Sequence, residues 1–210
     1  MSVIFIDTDS ELPFEKAQEL NLDDKFIIKM PYTICDKETF YDLGESYDAK
    51  EFFSLVRAGN MPITSGLNVE IYKEYFEPFF AQGEDILYVS FSEELSGTFK
   101  YHDIAIEELR EKYPDAKYRR FDTRGISLVA GLPCYYAVKM HNEGKSNDEI
   151  VEFLSEFAPR AFVRRSPLTT YFILKKAVDF PPFRLRSVAF SKLNRSSELT
   201  PKVNFTLPEK

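Results

Sequence analysis

Hydroxyl side chains cluster at two turns of this 210-residue chain. The first turn is Pro62-Ile63-Thr64-Ser65-Gly66-Leu67-Asn68. The second, Ser90 through Thr98, follows the apolar run Ile86-Leu87-Tyr88-Val89. Each reads as a loop entering a helix, where serine and threonine hydroxyls meet backbone N–H groups that lack an intrahelical partner. Such a constellation can hold an anion, a carboxylate or a phosphate, without a lysine or a metal. The plainer role of Ser92, Ser96 and Thr98 is helix capping. Gly66 and Gly97 favour a site, because a residue without a Cβ lets another molecule approach the backbone closely.

Other chemistry-bearing residues point less clearly. Asp7, Asp9 and Asp122 lie at the ends of apolar runs, where acids more often bond local backbone than ligate a metal or act in catalysis. His102 and His141 fall in helical segments without an obvious paired cysteine, serine or acid motif. No glycine-rich phosphate loop is followed by a lysine, which speaks against a nucleotide kinase of that type. Cys35 and Cys134 are too far apart in sequence to suggest a metal cluster or a disulfide framework. The expectation is a binding protein with no catalytic residue, no metal and no cofactor.

The elements that must position the turns alternate between strand and helix over residues 1–160. Short apolar runs at Val3–Asp7, Phe26–Met30, Asp85–Ser90 and Tyr118–Asp122 predict strands. Residues 32–35 and 40–41 suggest a small hairpin around Asp36-Lys37. Helical spacing of apolar residues predicts helices near 14–20, 49–58, 69–81, 96–111 and 126–143. Ser146 and Glu149 fit a capping box opening a further helix through Phe157. The alternation predicts an α/β fold with a mostly parallel sheet flanked by helices. Ligands in such sheets sit where the carboxyl ends of strands meet the following loops. Both hydroxyl turns are expected there, at successive positions of one sheet, together with Asp122, Thr123 and Ser127.

Hydrophobic content of 44% and charged content of 29% are ordinary for a soluble globular protein. A net charge of −7 argues against nucleic acid and anionic membrane surfaces as partners. No apolar run is long enough to span a bilayer, and the start lacks the basic region of a signal peptide, so stable membrane insertion is not expected and the cytoplasm is. Residues 161–210 behave differently. Ten of the 27 basic residues but only three of the 34 acidic ones lie there, and all eight glycines precede residue 145. The segment reads as an atypical basic tail after a 1–160 domain.

The ordered set Thr8-Asp9-Ser10, Thr64-Ser65, Ser92 with Leu95-Ser96-Gly97-Thr98, and Asp122-Thr123 with Ser127 resembles the DegV family of bacterial fatty-acid-binding proteins over residues 3–158. Gly66-Leu67-Asn68 departs from the Gln-Pro-Ser with which that family commonly continues its Thr-Ser pair. The resemblance implies that the chain corresponds to the N-terminal lobe of a two-domain α/β protein with a long acyl chain buried between the lobes. Thr64 and Ser96 would hold the fatty-acid carboxylate, with Ser65 and Gly97 shaping the pocket. Such proteins resemble carriers that present the acid to a separate fatty acid kinase and do no chemistry themselves. The alternatives are a non-functional fragment of such a carrier and a phosphotransfer enzyme related to dihydroxyacetone kinase.

The family's second lobe opens with elements like V-D-D-L, L-K-x-G-G-R and I-K-P-I, none of which this chain contains. Codons can nonetheless be chosen for Pro167–Val203 so that a displaced frame reads as similar elements in that order. The implied event is a frameshift near residues 159–167. It predicts a poorly packed segment over 161–210, an exposed apolar face, and a weakened hold on the acyl chain.

Overall fold

Apolar residues alternate sides along the first strand: Ile4 and Ile6 enter one packed layer and Phe5 the other. That alternation places a sheet between two layers of helices. The computed structural model describes residues 2–43, 45 and 48–164. The strands are β1 (Ser2–Asp7), β2 (Ile27–Ile28), β3 (Pro31–Ile34), β4 (Lys37–Phe40), β5 (Ile63–Thr64), β6 (Asp85–Ser90) and β7 (Lys117–Asp122). The helices are α1 (Phe14–Glu19), α2 (Ala49–Arg57), α3 (Val69–Phe80), α4 (Thr98–Lys112), α5 (Leu128–Asn142) and α6 (Asn147–Arg164). The main sheet is parallel throughout, in the order β2-β1-β6-β7. The expected α/β class is the one observed.

One face of this sheet carries Phe5, Ile86 and Tyr88 against α3 and α4, in a core dominated by aromatic rings. Phe5 meets Phe26, Phe76 and Phe79 edge-on at centroid distances of 5.4, 4.9 and 5.3 Å. Full burial of a ring such as Phe5 or Phe76 stabilises the fold by roughly 2–3 kcal/mol, and Phe26 and Phe79, partly buried, contribute less. The other face packs Ile4, Ile6, Leu87 and Val89 against Cys134, Ile150 and Leu154 of α5 and α6. The capping box at α6 forms in both directions. The Ser146 amide donates to Glu149 Oε2 at 2.9 Å, and the Glu149 amide to Ser146 Oγ at 3.3 Å. That helix continues to Arg164, beyond the expected end at Phe157.

Two local expectations need correction. Only Ile27–Ile28 pair as the second strand, because Asp24–Phe26 form a 3₁₀ turn opened by the Asp23 side chain, which accepts from the Lys25 amide. The hairpin turns at Cys35-Asp36, one residue earlier than the sequence suggests, with both residues at positive φ (52° and 58°) as a two-residue turn requires. Pro31 begins β3. A larger difference concerns the first hydroxyl turn. Ile63–Thr64 pair antiparallel with β3, so that turn follows a strand of a second, three-stranded sheet, β4-β3-β5. The two turns therefore leave different sheets rather than successive strands of one. The expected tail, residues 161–210, and its expected poor packing fall mostly on residues 165–210, which lie outside the described residues.

Candidate functional site

The second hydroxyl turn grows from the most buried strand of the molecule. Ile86 through Ser90 are fully buried, and the chain leaves the sheet through Phe91 and Ser92. The Ser92 amide donates to Gly125 O at 2.8 Å, tying the turn to the loop after β7. A 3₁₀ turn at Glu93–Leu95 then brings Ser96 to the start of α4. Ser96 Oγ accepts from the Thr98 amide at 3.2 Å, which leaves its own proton free to donate. Gly97, at the N-cap of α4, provides no capping side chain, so the positive end of the helix dipole is open beside Ser96.

Thr98 joins the two turns. Its Oγ1 accepts from the Leu67 amide at 2.9 Å and lies 3.0 Å from the Tyr72 hydroxyl. Gly66 fits closely at this junction: a Cβ there would come 3.1 Å from the Thr98 Cβ, so that neighbour would have to give by a few tenths of an ångström. Thr98 is buried and structural, so of the hydroxyls in this turn Ser96 is the one that faces outward. The first turn is held to β3 by the Ser65 amide on Pro31 O at 3.2 Å. The Thr64 and Ser65 hydroxyls are exposed and have no hydrogen-bond partner among the described residues.

Thr64, Ser65 and Ser96 line one cleft of about 610 Å³. Its apolar side is built by Met30, Phe52, Phe53, Phe91, Leu95 and Ile126. Phe52 packs edge-on against Tyr32 at 5.6 Å, and both it and Phe53 come from α2, a helix with no fully buried residue. Gly97 is not a lining residue, and a Cβ built on it meets nothing within 4 Å. The structure thus brings three of the four expected site residues together and sets the fourth at the helix start beside them.

The acids divide sharply. Asp7 is completely buried, and its Oδ2 accepts from the Tyr88 hydroxyl and the Phe91 amide, both at 2.9 Å. Its other oxygen has no partner among the described residues. Burial, reinforced by the nearby Asp9 charge, pushes its carboxyl up to about 7. Asp7 therefore fixes the loop that carries Phe91. Asp9 lines the cleft itself, and burial followed by repulsion from Glu11 raises it to about 6. Its backbone carbonyl accepts from the Ser127 amide at 2.7 Å, while the Ser127 hydroxyl donates to Glu11. Ser127 holds this bridge at a φ of 56°, a left-handed conformation that serine rarely adopts.

Asp122 and Thr123 face a different cleft, of about 510 Å³, beside Ser155 and Pro159 of α6. There Thr123 Oγ1 donates to Ser90 O, Asp122 Oδ1 accepts from the Arg124 amide, and Ser155 Oγ donates to Val151 O. These groups are committed locally, as expected of acids at strand ends. His102 is buried in the aromatic core, with one ring nitrogen on the Tyr118 hydroxyl at 2.5 Å and the other on Asp103 at 2.8 Å. Burial lowers it to about 4, so it is neutral at neutral pH. Its pairing with Asp103 and Tyr118 had no counterpart in the sequence reading, because Tyr118 reaches it only through the fold.

The chain matches the model of the DegV family, described as an uncharacterised protein family, over residues 2–173. The chain belongs to the DegV family. A DegV domain-containing protein of Clostridium perfringens is 40% identical over 154 residues, covering 73% of this chain and 52% of that relative. One from Lactococcus lactis is 32% identical over 135 residues, covering 64% and 46%. This DegV chain spans about half the length of the curated relatives it matches. Its fold is shared with a stearic-acid-binding protein of Eubacterium ventriosum (TM-score 0.61, 22% identity, covering 74% of this chain and 52% of that one). It is also shared with a Thermotoga maritima protein whose structure reveals a fatty acid binding function (TM-score 0.58, 25% identity, covering 73% and 53%). Among the described residues no helix of this DegV chain is long and apolar enough to cross a membrane.

Proposed function

We propose that this DegV chain binds a long-chain fatty acid, its carboxylate held by the Thr64 and Ser96 hydroxyls, with Ser65 and Gly97 shaping the pocket. The observation that carries this reading is the convergence of uncommitted hydroxyl donors on one cleft with an aromatic and aliphatic wall. Hydroxyls free to donate suit a carboxylate, and the open start of α4 adds favourable partial charge. The fatty acids bound by the solved relatives support the same ligand class. In this reading the protein is a carrier without chemistry of its own, presenting the head group to a fatty acid kinase in the cytoplasm. Two unpaired cysteines, one of them exposed, suit that reducing compartment.

The carrier reading extends to organisation. Residues 1–160 form the lobe that grips the head group, and residues 161–210 are translated out of frame relative to the family's second lobe. The DNA across codons 155–170 decides this: codons that do not spell the family elements in the displaced frame end the idea. With one wall of the acyl tunnel replaced, binding is weaker than in two-lobed relatives, since affinity follows buried apolar area. Titration of the purified chain with myristate, followed by calorimetry, tests the site. Saturable binding should weaken about 10- to 100-fold in the Thr64→Val, Ser96→Ala double variant, the loss of two hydrogen bonds to a charged group. Binding indifferent to both substitutions removes the reading.

A further inference from the structure

We infer that a fatty acid held in the Thr64–Ser96 cleft shares one proton, taken up from solvent, between its carboxyl group and that of Asp9. This rests on the reading that Thr64 and Ser96 hold the head group. The cleft that offers hydroxyls to an anion also contains two acids, Asp9 and Glu11, and no lysine, arginine or histidine lines it among the described residues. A carboxylate entering with Asp9 ionised would add a second negative charge in a space partly shielded from water. Two carboxylates sharing such a site resolve the repulsion by keeping one proton between them.

Asp9 suits this role by what surrounds it. Its side chain has no hydrogen-bond partner among the described residues, so its oxygens remain available to a ligand. Glu11, in contrast, already accepts the Ser127 hydroxyl, and Asp7 is bonded to Tyr88 and Phe91 below the cleft floor. The other facing groups are neutral at working pH. Tyr32 and Tyr41 from the β3–β4 region have hydroxyls pushed up by burial, the two turns contribute hydroxyls, and α2 contributes Phe52 and Phe53. The cations on these elements, Lys37 of β4 and Lys50 and Arg57 of α2, are not among the residues that line the cleft. The raised carboxyl of Asp9 in the free protein already leans the same way, since burial and Glu11 both favour its protonated form.

Calorimetric titrations of the full chain with myristate and with the matching primary alcohol, in buffers of different ionisation enthalpy between pH 6.5 and 8.5, test the inference. One proton should be taken up per myristate bound, with affinity falling about tenfold per pH unit, while the alcohol binds without uptake or pH dependence. Asp9→Asn should bind myristate independently of pH and, at pH 8.5, about 100-fold more tightly than the wild type. Asp9→Glu should retain the uptake. Saturable myristate binding to the wild type that is flat with pH and takes up no proton overturns this inference and leaves the hydroxyl site standing. If Asp9→Asn fails to fold, Asp7→Asn decides the matter: it should retain the uptake, and loss of the uptake in it would place the proton on Asp7 and overturn the inference. Failure of both probes to bind overturns the site reading and this inference with it.

Discussion

The two hydroxyl turns resemble each other in sequence and are built on different foundations. The second rises from β6, buried from Ile86 through Ser90, and enters a long helix whose inner face packs into the aromatic core. The first follows a two-residue strand on a small antiparallel sheet, with Ile63 64% exposed and α2 contributing no fully buried residue. One half of the cleft is thus fixed by the main sheet, and the other rests on the small sheet, with Leu67 the one residue of the first turn that is buried in the aromatic core. The difference teaches that a cleft of this kind needs only one rigid side. A soft side, anchored to the rigid one at Thr98, can form the entrance for a ligand.

The sharpest way to break this contrast is to remove one aromatic ring from each half. Phe76→Ala, in the core beneath the second turn, should cost about 3–5 kcal/mol in denaturant unfolding, whereas Phe53→Ala, half exposed over the first turn, should cost under about 1 kcal/mol. Equal losses would mean that the soft half is as well founded as the rigid one.

Next in size is the pH dependence of the rigid half. The Asp7 carboxyl is raised in the fold from its ordinary 3.8 to about 7, so the native state holds a proton that the unfolded chain releases. This contribution is fully present below about pH 4 and is lost as the pH rises through 7, which lowers stability on the neutral side. Thermal unfolding of the wild type should therefore weaken between pH 5 and pH 8, and Asp7→Asn should flatten that decline. A wild type and variant with parallel pH profiles would locate the dependence elsewhere.

The smallest effect tests the link between the halves. Thr98→Val keeps the volume but strands the Leu67 amide and the Tyr72 hydroxyl, at a cost of about 1–2 kcal/mol. Amide exchange should then quicken around Leu67 more than along β6. Uniform acceleration would show that the two turns move as one body.

Much of this architecture could be read in advance because it rests on period and punctuation. Buried strands such as Asp85–Ser90 are continuous apolar runs, and the Ser146–Glu149 box is a local signal that needs no tertiary partner. What escaped was decided by contacts far apart in sequence. A two-residue strand with exposed side chains, Ile63–Thr64, has no period to detect, so its place in a second sheet is visible only once β3 lies beside it. In the site, Thr64, Ser65 and Ser96 could be nominated by residue type and by family resemblance. The division of labour between Ser96 and Thr98 could not, because it turns on which hydroxyl meets Leu67. Asp7 and Asp9 look alike as acids at a strand end. One is sealed beneath the loop and the other lines the cleft, a distinction made by Tyr88 and Phe91 more than eighty residues away.

Gly131 lies in α5, where a Cβ would come within 2.5 Å of the Ser10 carbonyl oxygen. The turn that carries Asp9 therefore sits directly on the helix backbone with no side chain as spacer. Any residue larger than glycine at 131 would act as a shim, lifting that turn and altering the depth of the cleft without changing a single group that lines it. The geometry of the cleft is adjustable from behind the sheet, through a position that does not line it.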